Sequence, residues 1–299
     1  MIIERSAMTR PVKLLRVSFL AFFIAITGLQ TASADTVYPD KNRIVSAGGS
    51  ITEIIFELGE QDRLVARDST SNYPEAAIKL PDVGYMRRLS PEGVLSVNPD
   101  LIIAIEGSGP KETIELLAEA DIPFVMIPNE FSRAGIVAKI NAVANTLGVE
   151  QQGAKMAAEL DAALKEAEDK ANAVESKKRI MFVLTARGGR YLISGTGTAA
   201  DGIIRMAGGI NAVSQYEGYK PLTDEAMSAA KPDIILLMQR TGQHQITDED
   251  LANQPAIAIT PAGQSKNFVR MDGMYMLGFG PRTARAIVDL NKLFYPNES

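Results

Sequence analysis

The sequence predicts an α/β protein of two similar lobes joined by one long helix. Three observations carry this. Strand-like and helix-like segments alternate in both halves of the chain, a pattern that builds a largely parallel sheet. Residues 89–105, LSPEGVLSVNPDLIIAI, align without gaps on residues 222–238, LTDEAMSAAKPDIILLM, at a shift of 133. Between the two series, the stretch from Glu150 to Ala173 is rich in Ala, Glu, Lys and Leu and has no Pro. By propensity it is one helix, roughly 35 Å long at ~1.5 Å per residue.

The first 34 residues stand apart. Arg5, Arg10, Lys13 and Arg16 make a positive start, Val17 to Leu29 is apolar, and Ala32-Ser33-Ala34 is an A-x-A cleavage site. This is the pattern of a signal peptide, with an apolar run too short to span a bilayer. The mature chain is expected to begin at Asp35, and its formal charge falls from −5 to −8. An acidic surface argues against nucleic acid as a partner. The chain has no Cys, so it has no disulfide to staple it and no thiol to carry a lipid. The expectation is a soluble, exported protein of the periplasm.

Arg43 to Ser46 reads as a short strand. Ser50-Ile51-Thr52-Glu53 reads as a capping box opening a helix that ends at Gly59. Arg63 to Arg67 is a second strand. Leu101 to Ile105 is a continuous apolar run, as expected of a strand buried on both faces. A helix near Lys111 to Ala120 and a strand at Pro123 to Ile127 follow. After the long helix, Arg179 to Leu184 opens the second series. The expected division is a signal peptide (1–34), an N-terminal lobe (35–148), a linker helix (149–176) and a C-terminal lobe (177–299). A cleft between two Rossmann-like α/β lobes is the default ligand site.

The repeat carries a matched pair of carboxylates. Ser90 and Thr223 are placed to cap short helices, with Glu92 and Glu225 in their first turns. Taken singly, each Glu is accounted for by the helix dipole. Taken together, two lobes each presenting an exposed Glu could dock two arginines of a symmetric partner.

The segment DVGYMRRLSPEG, 82–93, holds the most distinctive chemistry. Tyr85 reads either as a loop aromatic packed on its own lobe or as a ligand. A phenolate is a hard anion suited to ferric iron, and tyrosine is a known axial haem ligand. Free tyrosine titrates near 10, so a metal or a nearby cation must favour the anion. Arg87 or Arg88 could supply that cation or pair with ligand carboxylates. Gly84 would let backbone and ligand approach closely.

His244, the only histidine, follows a buried strand. One His cannot build a zinc site. It reads either as a loop residue or as a ligand at the cleft mouth. GFGPRTARAI, 278–287, reads either as an anion-binding helix start or as a plain one with Arg282 exposed. GTGTAADGII, 195–204, fails the GxGxxG nucleotide pattern, because Ala200 occupies the last glycine position. There is no GxSxG elbow and no legible Ser-His-Asp set, so the chain is read as non-enzymatic.

With these residues in view, the chain resembles the periplasmic haem-binding proteins of bacterial ABC haem importers, within the wider group of binding proteins with a single helical linker. The resemblance spans Lys41 to Pro296 and is carried by LPDVGYMRRLSPEGVLSVNPDLI, GTAADGIIRMAGG and LGFGPRTA. It implies two lobes with little hinge motion and haem in the cleft as transported ligand, with Tyr85 as axial iron ligand. Arg87 is then a haem-assisting residue. Arg88 and Arg240 are further candidates for propionate or phenolate support, Arg240 by position alone. His244 is a candidate second ligand. The resemblance also implies that Glu92 and Glu225 dock on arginines of an inner-membrane permease dimer, with an outer-membrane haem receptor upstream. A ferric siderophore or a corrinoid is the alternative cargo, and an exported enzyme acting on tetrapyrroles is the alternative class.

Overall fold

The computed structural model describes residues 36–187, 190–239 and 245–297. The expected signal peptide (1–34), Arg240 and His244 lie outside the described residues.

The first series runs β1 (Ile44–Ala47), α1 (Gly49–Glu57), β2 (Leu64–Arg67), α2 (Pro91–Leu95), β3 (Leu101–Ile105), α3 (Lys111–Glu119), β4 (Phe124–Ile127) and α4 (Arg133–Leu147). Its four strands are all parallel, in the order β2-β1-β3-β4. Every residue of β3 is buried, as its unbroken apolar run requires. The long helix α5 covers Glu150–Asn172.

The second series runs β5 (Arg179–Arg187), β6 (Arg190–Ser194), α6 (Ala199–Met206), β7 (Ile210–Asn211), β8 (Tyr219–Pro221), α7 (Asp224–Ala229) and β9 (Ile234–Gln239). It closes with α8 (Asp248–Ala252), α9 (Pro255–Ala258), α10 (Pro261–Ser265), β10 (Phe268–Asp272), α11 (Gly273–Leu277) and α12 (Thr283–Phe294). The second sheet has the order β10-β9-β5-β6-β8, with β7 paired to β5. Its β10-β9-β5 portion is parallel and mirrors β4-β3-β1, whereas β6 and β8 are antiparallel.

The internal repeat is geometric as well as textual. At the shift of 133, β3 begins at Leu101 and β9 at Ile234. Asn98 and Lys231, the matched turn residues, both sit in the left-handed region at φ 46° and 43°. The matched Asp100 and Asp233 do one job. Asp100 accepts from the N–H of Arg43, at the head of β1, at 2.9 Å, and Asp233 from the N–H of Arg179, at the head of β5, at 2.7 Å. Each of those arginines turns its guanidinium onto the carbonyls that precede the Pro-Asp pair. Pro-Asp is thus the clamp that starts the central strand of each lobe.

One continuous apolar cluster runs from Ile44, Ile54 and Ile103 through Ile140 and Leu164 to Ile180, Ile203 and Leu290. Inner faces of both sheets, α4, α5 and α12 share it, and the described residues fall in a single compact unit. Two smaller clusters cover the outer faces of the two sheets.

Candidate functional site

Parallel strands place ligands beyond their carboxyl ends, and the polar residues of this chain gather there. β1 runs into Gly48 and β2 into Asp68. Gly48 caps α1 at φ 129°, and a Cβ there would lie 2.6 Å from Ile105 Cγ2. Only glycine fits that turn. The expected capping box is therefore absent: α1 already begins at Gly49, no side chain caps it, and Ser50 and Glu53 are inside the helix.

Asp68 is fully buried. Its carboxylate accepts from the N–H groups of Gly48 (3.0 Å), Thr70 (3.0 Å) and Met86 (3.2 Å) and from the hydroxyls of Thr70 and Ser71. A chain of buried hydroxyls continues from Ser71 to Thr52 (2.7 Å) and Ser46 (2.6 Å). Asp68 thereby ties β1, α1 and the Tyr85 segment into one rigid polar knot. Within RDSTSN, 67–72, Thr70 and Ser71 supply local donors, while the N–H groups of Gly48 and Met86 come from segments distant in sequence.

The Tyr85 segment lies along the end of β2. Val83 N–H donates to Arg67 C=O at 3.0 Å and Ser69 N–H to Gly84 C=O at 2.9 Å. Side chains then alternate. Met86 and Leu89 point into apolar packing, while Tyr85, Arg87 and Arg88 face out. Tyr85 is 39% exposed, and its hydroxyl bonds no described residue. Gly84 has a backbone reason to be glycine. It sits at φ 101°, and a Cβ there would meet nothing within 4 Å. That backbone conformation calls for glycine.

Arg87 acts across to the second lobe. Burial pushes the Tyr219 phenol up, and hydrogen bonds from Thr198 and Ala200 together with the charge of Arg87 oppose that rise. The charge of Arg87 is thus felt at Tyr219 on β8. Arg88 pairs with no described acid. Glu92 and Glu225 occupy the first turns of α2 and α7. Ser90 Oγ accepts from Gly93 N–H at 3.0 Å and Thr223 Oγ1 from Ala226 N–H at 3.3 Å, the caps the repeat predicts. Both glutamates are exposed, and neither pairs with a described cation.

The lobes meet through a buried charged contact that sequence reasoning misses. Arg282 donates to both oxygens of Glu53, at 2.9 and 2.6 Å. Its guanidinium lies 3.8 Å over the ring of Tyr73 and 5.3 Å from that of Tyr275. Arg282 is therefore not the exposed charge of a plain helix start. Burial pushes the Glu53 carboxyl above its ordinary value, and Arg282 draws it back. Beside this pair, Lys139 is 1% exposed. It donates to Asn129 Oδ1 (2.7 Å), Phe279 C=O (3.0 Å) and Ser50 Oγ (3.4 Å), and burial pushes it down to about 7. Phe131 and Phe279 meet edge to face at 5.1 Å. No group of three or more metal-binding His, Cys, Asp or Glu occurs among the described residues. No described helix is long and apolar enough to cross a membrane.

Two α/β lobes on one shared core, with an exposed tyrosine and cations at the strand ends, make a solute-binding protein. The chain belongs to the family described as periplasmic binding protein, whose model matches residues 44–275. Among solved structures it is similar to the periplasmic heme-binding protein RhuT from Roseiflexus sp. RS-1 in apo form. The identity is 38% and the TM-score 0.81, over 86% of this chain and 98% of that one. It is similar also to the periplasmic heme-binding protein BhuT in complex with two hemes, at 35% identity and a TM-score of 0.80, over 85% and 98%. Among curated proteins, an uncharacterized ABC transporter substrate-binding lipoprotein of Bacillus subtilis (strain 168), YvrC, is 23% identical over 265 residues, 88% of this chain and 82% of its own. A vitamin B12-binding protein of Yersinia pestis (strain Pestoides F) is 38% identical over 81 residues, 27% of this chain and 29% of its own.

Proposed function

We propose that this protein captures haem between its lobes and delivers it to an ABC permease of the inner membrane. The observation that carries the reading is Tyr85: a phenol with no described hydrogen-bond partner, on a rigidly held turn at the strand ends, followed at once by two outward-facing arginines. Ferric iron binds a phenol as phenolate. Arg87, exposed and with its charge felt at Tyr219, is assigned to a propionate, with Arg88 as a second cation. Arg240 and His244 are assigned, from sequence alone, as a further support and a second ligand. The similarity to two heme-binding structures favours this cargo over a siderophore. The shorter match to a vitamin B12-binding protein keeps a corrinoid as the alternative.

The protein works by binding and release, not by turnover. Glu92 and Glu225, at matched helix starts, dock on permease arginines. The lobes are assigned as 35–148 and 177–299, flanking the linker 149–176, in a mature chain free in the periplasm.

The chain has eight Tyr and no Trp, so tyrosine fluorescence is a clean binding probe. Titrations with hemin, cyanocobalamin and a ferric siderophore test the reading. Saturable quenching by hemin alone supports it. Saturation by cyanocobalamin without hemin moves the cargo to a corrinoid, and release of iron from bound haem over time makes the protein an enzyme.

A further inference from the structure

The peptide N–H groups on either side of Tyr85 both end on carboxylates. Gly84 N–H donates to Asp82 Oδ1 at 2.8 Å, and Met86 N–H donates to Asp68 Oδ2 at 3.2 Å. The two carboxylates have different partners. Asp82 is exposed, and its other oxygen pairs with Arg67 Nη1 at 2.8 Å. Asp68 is buried in its knot of donors. Arg67 Nη1 also donates to the Asp68 carbonyl at 3.0 Å, which joins the two anchors. The carbonyls of the segment are tied as well, Gly84 C=O by Ser69 N–H and Tyr85 C=O by Arg88 N–H at 2.7 Å. A hydrogen bond to an ionised acceptor is roughly twice as strong as a neutral one. The backbone of Tyr85 is therefore fixed more firmly than a surface turn needs, while its side chain is left free.

We infer that Asp68 and Asp82 are positioning residues for Tyr85, holding its backbone at one place so that the phenol meets a ligand without the turn reorganising. The inference rests on the proposed role of Tyr85. Outer-shell partners of a metal ligand typically govern affinity by about 10–100-fold, and the same scale is expected here. Neither acid touches the ligand; each acts through the peptide group next to the tyrosine. A carboxylate that merely stabilises the fold, such as Asp100 on the backbone of Asn42 and Arg43, has no such effect.

The test is a hemin titration followed by visible absorption, with thermal unfolding in parallel, on wild type, Asp82→Ala, Asp68→Asn and Asp100→Ala. Asp82 is on the surface, so its variant keeps the fold and decides the matter even where Asp68→Asn does not fold. Both positioning variants should raise the hemin Kd about 10–100-fold and shift the tyrosinate charge-transfer band. Asp100→Ala should lower Tm with the band and Kd unchanged. A wild-type band and Kd in Asp82→Ala overturn the inference alone. A wild-type protein without hemin binding, or without a tyrosinate band, overturns the proposed role of Tyr85 and the inference with it.

Discussion

Replacing Arg282 by Met removes one partner of a buried ion pair while keeping the length of the side chain. Glu53 then stays in place, its side chain 5% exposed, having lost two charge-assisted hydrogen bonds of 2.9 and 2.6 Å. Breaking a buried pair from one side costs about 3–5 kcal/mol. The Arg282 side chain is 19% exposed, so the low end applies, and the lost stacking on Tyr73 adds about 0.5–1 kcal/mol. The expected loss is about 3–4 kcal/mol. For a domain of this size that lowers Tm by roughly 6–16 °C. The sign with pH follows from Glu53, whose carboxyl burial already pushes up. Without Arg282 it rises further. A raised carboxyl holds its proton in the folded state where the unfolded chain has lost it, so stability falls as pH rises through that window and recovers as pH is lowered. The penalty of Arg282→Met should therefore shrink on acidification. Pairing it with Glu53→Gln should recover about 1–3 kcal/mol, the coupling expected of contacting residues. Calorimetry and urea melts across pH read all three. A Tm loss under about 2 °C, or strictly additive single variants, would refute the view that this contact latches the lobes.

Other consequences are as definite. Burial holds Lys139 down to about 7, so between about 7 and 10.5 the unfolded chain binds more protons and stability rises with pH. Wild type should gain on Lys139→Met across that window, and a flat difference in unfolding free energy contradicts this. A Cβ on Gly202 would lie 2.6 Å from Phe131 C=O and 2.9 Å from Phe131 Cβ, so Gly202→Ala should cost about 1–3 kcal/mol by overpacking, measured by urea unfolding. Glu92→Ala with Glu225→Ala should weaken haem delivery to reconstituted permease with hemin affinity intact. A double variant that delivers normally ends the docking proposal.

Much of the fold was legible because local and tertiary demands agree. The apolar runs at Leu101–Ile105 and Ile234–Met238 are strands because parallel sheets bury both faces, and the Ser90 and Thr223 caps do what their types dictate. The antiparallel β6 and β8 were not legible, since short mixed runs such as YKP carry no period. The helix start at Ser50–Glu53 was misread for a physical reason: the capping-box letters are present, but Gly48 turns the chain earlier and Glu53 is committed to Arg282, 229 residues away in sequence. Of the site, Tyr85 and the arginines stand out by residue type. Asp68 does not, because two of its donors, the N–H groups of Gly48 and Met86, come from segments distant in sequence.

The central claim is that Tyr85 binds haem iron. Visible absorption during hemin titration of the mature protein and of Tyr85→Ala tests it most directly. The account predicts a saturable ferric spectrum of tyrosinate type in the wild type, lost or altered in Tyr85→Ala. Saturable binding with the same spectrum in both proteins would contradict it and move the ligand elsewhere, with His244 next to be replaced.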